Sequence, residues 1–357
     1  MRNSRSAQYL TTAAEVQAWT AHARSQPWLS LDTEFMRERT YYPQLCLVQV
    51  GTPDAVALID AQCAELLPAL VELLNLPLLK IMHAPGQDQE VLATVGVQHL
   101  QPLYDTQTAH ALLGGVPQIG YAGIVSERLQ LTVDKGQTRT DWSRRPLSAE
   151  QCAYAAADVE HLPALYTQLQ DALAAAGRTD WMTEEMQSLA RPWADPDPVD
   201  LALRARAMER MEPDEQQRYV QLVVWREQRA RRSDKPRSWV AKDGLLVAIA
   251  RHNPTNLQEL RRINDIPDGL VRHQGQELLD RLQQAQEQPV DLLEPVEREA
   301  VKRVQALVGK AAQAAELDRG VIASRADCEQ WCRDRSGRLA SGWRQALVAP
   351  YFAAAGL

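Results

Sequence analysis

Two patterns of apolar residues divide the chain. Up to Leu189, short apolar runs alternate with helical spacings; beyond a proline-rich stretch only the helical spacing continues. Thr12 to Ala23 reads as a first helix, and Trp28-Leu29-Ser30-Leu31-Asp32-Thr33-Glu34-Phe35 as an extended run that ends in two carboxylates. Leu45 to Val50 and Ala55 to Ile59 are strand candidates joined by the turn Gly51-Thr52-Pro53-Asp54. So short a connection makes them a hairpin, and the sheet therefore mixed. Cys63 to Leu74 is helical and Leu78 to Met82 is a strand ending at His83. The turn Pro85-Gly86 then opens a helix through Asp88, Val91 and Leu92. Helical spacing returns at Asp105–Leu113 and Tyr121–Leu129. Ser148, with Gln151 three residues on, carries the reciprocal capping-box signature of a long helix.

Prolines mark the borders. Pro192, Pro196 and Pro198 make a linker of Arg191 to Pro198, and a second break falls at Gln288-Pro289 and Glu294-Pro295. The expected architecture is an α/β domain over 1–195, with a mixed sheet flanked by helices. Two all-α helical domains follow, over 205–290 and 294–357.

Composition adds limits. At 357 residues, 45% hydrophobic and 24% charged, the chain has the make-up of a globular protein of two or three domains. No run approaches the ~20 apolar residues of a membrane helix, and Met1 to Thr20 lacks a secretory apolar core. Five cysteines, an odd number without a C-x-x-C pair, point to a reducing cytoplasm rather than a disulfide framework. The net charge of -7 speaks against a polyanion binder until the chain is split. Residues 1–200 hold 13 Lys+Arg against 24 Asp+Glu; residues 201–357 hold 26 against 22. An acidic half beside a basic half fits a metal-dependent site coupled to a polyanion-gripping module.

The candidate chemistry is carboxylate chemistry. Positions i and i+2 of a strand face the same side, so Asp32 and Glu34 stand together at the strand end. Charges held so close repel unless a cation intervenes, and all-oxygen ligands suit Mg²⁺ or Mn²⁺. Asp88 sits just inside its helix. Tyr154 and Asp158 are one helical turn apart, so phenol and carboxylate project together. Four such carboxylates can hold two divalent ions ~3.5–4 Å apart.

The order D-x-E, D, Y-x-x-x-D resembles the DEDD exonuclease family in its tyrosine subclass. Leu31-Asp32-Thr33-Glu34-Phe35, Arg39-Thr40-Tyr41-Tyr42-Pro43-Gln44-Leu45, Thr138-Arg139-Thr140-Asp141-Trp142-Ser143, Arg145-Pro146-Leu147 and Gln151 to Val159 resemble the ribonuclease D branch. Trp225-Arg226 and Asn264-Asp265-Ile266-Pro267 are similar to the HRDC domain, and Ser341-Gly342-Trp343-Arg344 to a diverged second copy. Ala84-Pro85-Gly86-Gln87 departs from the family by its proline-constrained turn before Asp88.

The resemblance implies a ribonuclease H-like sheet and a 3′–5′ exoribonuclease acting on RNA, tRNA precursors with 3′ extensions in particular. It implies catalytic Asp32, Glu34, Asp88, Tyr154 and Asp158, with all four carboxylates binding two divalent cations and Tyr154 orienting the attacking water. Neither a membrane nor an obligate protein partner is expected. For substrate, Phe35 is a candidate to stack on the terminal base. Arg139, Arg144 and Arg145 are candidates to neutralise phosphates. Arg231 and Arg232 stand in an Arg-rich run around Trp225 and Trp239, the expected RNA-backbone surface. A DNA 3′–5′ exonuclease with the same five residues, and a non-catalytic RNA-binding protein on the same fold, are the alternatives at this point.

Overall fold

The structure, a computed structural model, describes residues 7–357 apart from 135, 138 and 139. Its strands are β1 (Gln8–Leu10), β2 (Trp28–Met36), β3 (Gln44–Gly51), β4 (Val56–Asp60), β5 (Leu79–Met82) and β6 (Leu103–Asp105). The helices that matter below are α1 (Ala13–Ala23), α2 (Leu67–Leu74), α3 (Gly86–Ala93), α4 (Thr106–Leu112), α5 (Tyr121–Leu129), α6 (Ala149–Glu160), α7 (Leu162–Ala175) and α8 (Thr179–Leu189). Strand order is β1-β4-β3-β2-β5-β6. The expected hairpin is β3–β4, antiparallel, and β2 runs antiparallel to β3 but parallel to β5. The sheet is mixed, as the short turn required. The two edge strands, β1 and β6, each span three residues. Such a segment is too short for a period-2 pattern to declare itself.

The chain forms two compact units. One comprises the chain up to Met36, Gln44–Trp193 and Pro295–Leu357; the other is Arg37–Pro43 with Ala194–Glu294. In the sheet unit, Leu29, Leu31, Val48, Val50 and Ile59 form one buried core with Val16, Trp19, Leu70 and Leu73 of α1 and α2. On the other face α6 packs across β2, β3 and β4, closing over Leu47, Leu58, Trp142 and Ala155.

The segment from 294 onward, expected as a third domain, shares a core with the sheet unit. Helices α9 (Arg298–Ala314), α10 (Arg319–Ile322), α11 (Arg325–Asp334) and α12 (Gly342–Ala354) continue the chain there. Val304, Val308, Trp331 and Phe352 are buried in the same cluster as Leu112, Ile124, Leu165 and Leu169. The join is polar as well. Trp343 stacks on Trp181 at 4.5 Å, its indole N–H donates to Glu185, and Arg344 pairs with Glu185. Burial pushes the Glu185 carboxyl up, but Arg344, the indole and Arg338 outweigh it and hold the group below its usual range. Helices this few bury too little apolar surface among themselves, and the sheet unit supplies the rest.

The helical unit is built around the long helix Pro213–Ser233 packed on Asp268–Glu287, with Tyr219, Leu222, Trp225, Leu246, Ile249 and Leu278 inside. The expected RNA surface changes here. Trp225 is a core residue, not a stacking platform. Arg226 pairs with Asp243, Arg229 with Glu277, and Arg237 with the fully buried Glu227. Arg231 donates to the Tyr41 hydroxyl at 3.0 Å and to the Pro196 carbonyl, and its guanidinium lies over the Tyr41 ring. What remains outward is Arg232, 69% exposed at its side chain, Lys235, and Trp239 at 61%.

Candidate active site

Strand β2 delivers the first two carboxylates. Asp32 lies opposite Gln49 of β3, and a register shift follows between Glu34 and Phe35. A bulge at a strand end re-aims the side chains beside it. Helix α6 delivers the third. The capping box between Ser148 and Gln151 fixes where the helix starts, with Ser148 Oγ accepting the Gln151 N–H at 3.2 Å. Tyr154 and Asp158 then fall on one face, with the small Ala155 fully buried between them against the sheet. The closest carboxylate oxygens of Asp32, Glu34 and Asp158 all lie within 4.8 Å of one another. Tyr154 hydrogen-bonds Asp158 through its hydroxyl.

Asp88 stands outside that triad. It occupies the first turn of α3, buried, and accepts the Thr33 hydroxyl at 2.5 Å. Thr33, the residue between Asp32 and Glu34, thus ties the helix to the strand. The proline-constrained turn before Asp88 holds Ala84 at φ 55, its N–H donating to Asp105 at 2.8 Å. That left-handed residue is uncommon for a side chain with a Cβ, and Asp105 pins it.

Among the described residues, no cation is among the main groups acting on the four acids. Burial, then the charges of Asp88, Asp158 and Glu34, raise the Asp32 carboxyl well above its usual value. Burial and the Asp158 and Asp88 charges push Glu34 up to about 9. Burial lifts Asp158 to about 7 and Asp88 to about 6, against the hydrogen bonds from Tyr154 and Thr33. Such a site attracts divalent cations, which relieve desolvated like charges more fully than protons do.

The substrate candidates separate. Phe35 is half-buried against the core that holds Leu29 and Leu31. Arg144 is 83% exposed at its side chain and paired with Asp141. Arg145 does not face solvent phosphate: its N–H groups go to both oxygens of Asp60 and to the carbonyls of Trp142, Arg144 and Cys46. All five donors of a guanidinium are thereby spent. Arg139 lies outside the described residues.

A 3′–5′ exonuclease domain model matches residues 7–174, and an HRDC domain model matches residues 215–282. The ribonuclease D of Shewanella sp. is 34% identical over 358 residues, covering 96% of this chain and 92% of that protein. The chain belongs to the ribonuclease D family. The ribonuclease D of Granulibacter bethesdensis is 38% identical over 78% of this chain and 72% of its own. The crystal structure of Escherichia coli RNase D, described as an exoribonuclease involved in structured RNA processing, superposes with a TM-score of 0.85. That match has 29% identity and covers 98% of this chain and 99% of that one.

As a member of the ribonuclease D family the chain is a 3′–5′ exoribonuclease, a phosphodiester hydrolase with an HRDC region. Two residues around its acids escape the motif. The Tyr121 hydroxyl donates to the Ala157 carbonyl at 2.8 Å and accepts the His161 N–H at 3.3 Å, pinning the end of α6 that carries Asp158. Thr33 was hidden inside D-x-E, where an alternating strand points it away from its neighbours.

Proposed function

We propose that Asp32, Glu34, Asp88 and Asp158 hold two divalent cations, Mg²⁺ or Mn²⁺, and that the chain trims the 3′ ends of tRNA precursors in the cytoplasm. One observation carries the reading: three acids converge within 4.8 Å, with a fourth beside them and no cation among the groups that set their charge. An all-oxygen donor set fits hard ions. When bound, those ions would supply positive charge at the phosphate and a water of lowered pKa.

The chain's own residues do the rest. Asp32, Glu34 and Asp158 would hold the cations at the strand end, with Asp88 beside them. The Tyr154 hydroxyl donates its hydrogen to Asp158. It therefore orients water and steadies Asp158 rather than serving as a base. Water adds to the terminal phosphorus, and the bond to the preceding nucleotide's 3′-oxygen breaks. That oxygen takes a proton, leaving a 3′-hydroxyl on the shortened chain and a free nucleoside 5′-monophosphate. Phe35 contacts the terminal base, while Arg144 faces backbone phosphate. In the helical unit Arg232, Lys235 and Trp239 provide the outward RNA contacts, and no obligate protein partner is required.

The test is purified protein with a 3′-extended tRNA and matched single-stranded DNA, with Mg²⁺, Mn²⁺ or excess EDTA. Metal-dependent release of 5′-monophosphates from the RNA is expected. Undiminished hydrolysis in chelator, or internal cuts, would contradict it.

A further inference from the structure

One buried polar group near the acids has no task in that mechanism. Gln49 lies in the middle of β3, opposite Asp32 in one ladder and opposite Leu58 in the other. Directly opposed residues of antiparallel strands share a face. Its side chain therefore stands on the face of Asp32, between that residue and Leu58 and beneath α6. Gln49 is fully buried, and neither Oε1 nor Nε2 has a hydrogen-bond partner among the described residues.

Interiors rarely leave such groups unpaired, and an apolar side chain of equal length would fill the position without that penalty. Leu47 and Leu58, its neighbours on the same face, show that β3 and β4 take leucine there. A glutamine at this position therefore calls for a partner that the bare arrangement of side chains does not provide. The nearest anion by register is Asp32. Carboxylates that ligate metals are commonly oriented by a hydrogen-bond donor behind them.

We propose that Gln49 is a positioning residue for Asp32, its amide N–H donating to the Asp32 carboxylate when that carboxylate holds a cation. The inference rests on the metal site proposed above. Gln49 thus acts through Asp32, not on the RNA.

The test is Gln49→Met, equal in length and without donor or acceptor, compared with the parent protein. Three quantities are read: thermal midpoint in EDTA, Mn²⁺ affinity by titration calorimetry, and kcat and KM on a short RNA. The metal-free midpoint should hold or rise, because an unpaired polar group is removed. Mn²⁺ affinity should fall about 10-fold and kcat with it, on the scale of lost outer-sphere contacts, while KM stays put. Affinity and kcat within twofold of the parent would overturn the proposal. So would a lowered metal-free midpoint, which would make the amide an ordinary structural contact. If Gln49→Met fails to fold, the Gln49 side-chain amide resonance in the parent decides. A downfield proton shift on adding Mg²⁺ is expected, and an unmoved resonance contradicts it. A parent that neither binds Mn²⁺ nor cuts RNA would remove the metal site itself, and this inference with it.

Discussion

Two acidic centres in this chain are handled in opposite ways. In the helical unit, Glu227 is fully buried, yet Arg237 reaches it at 2.7 Å, the Tyr41 hydroxyl at 3.0 Å and Arg226 at 3.7 Å. In the sheet unit, Asp32, Glu34 and Asp158 crowd within 4.8 Å, Asp88 adds its charge, and among the described residues the main charges acting on Asp32 and Glu34 are all negative. The first arrangement satisfies its own charge and stabilises a fold. The second leaves charge unsatisfied, which a fold alone has no reason to maintain. Acids at least partly withdrawn from water are common to both; only the second implies a ligand.

The widest gap between the two centres should appear on removing one charge from each. Asp158→Asn swaps an anionic ligand for a neutral one of the same shape. It should abolish most activity, by several kcal/mol of transition-state stabilisation, order of magnitude only. The metal-free protein should at the same time melt higher, because repulsion is relieved. Activity assays and a melt in EDTA check both; a lower midpoint would put Asp158 among structural charges. Glu227→Gln should do the reverse. Leaving Arg237 without its anion should cost about 3 kcal/mol of stability in denaturant titration, moderated because Arg237 is 41% exposed and screened by water. Hydrolysis of a short oligonucleotide at a permissive temperature should survive.

Tyr154→Phe gives a smaller effect and probes the edge of the comparison. Its hydroxyl bonds Asp158, so losing it should cost ~10²-fold in rate, the scale of one catalytic hydrogen bond. The Mn²⁺ activation midpoint should move upward slightly. An unchanged rate would leave the phenol with only a packing role against Trp142, whose ring lies 6.1 Å away.

These cases show what a sequence makes legible. Asp32 and Glu34 share a face by strand period, Tyr154 and Asp158 by helix period, and Ser148–Gln151 by capping. All of these rules act within a few residues, and the structure follows them. Partnership across the fold is another matter. Arg226, Arg231 and Arg237 resemble an RNA-gripping run in one dimension, but Asp243, Tyr41 and Glu227 meet them in three. Arg145 is the same case, its five donors turned inward by Asp60 and three carbonyls. A positive charge carries no mark of whether its partner is solvent phosphate or a distant carboxylate. Likewise the amphipathic helices after Pro295 declare an apolar face, not which core receives it.

The central claim is that the strand-end acids stay unpaired because they await divalent cations. It is tested most directly by thermal melts between pH 6 and 9, in EDTA and in saturating Mg²⁺. Glu34, pushed up to about 9, and Asp158, at about 7, keep protons in the folded metal-free protein that the unfolded chain has already released. The folded state then binds more protons, so metal-free stability must fall as pH rises through this window. Bound Mg²⁺ replaces those protons and gains affinity as they leave. The account predicts that the midpoint in EDTA declines toward pH 9 while the stabilisation by Mg²⁺ grows. Parallel curves, with a Mg²⁺ increment that does not depend on pH, would contradict it.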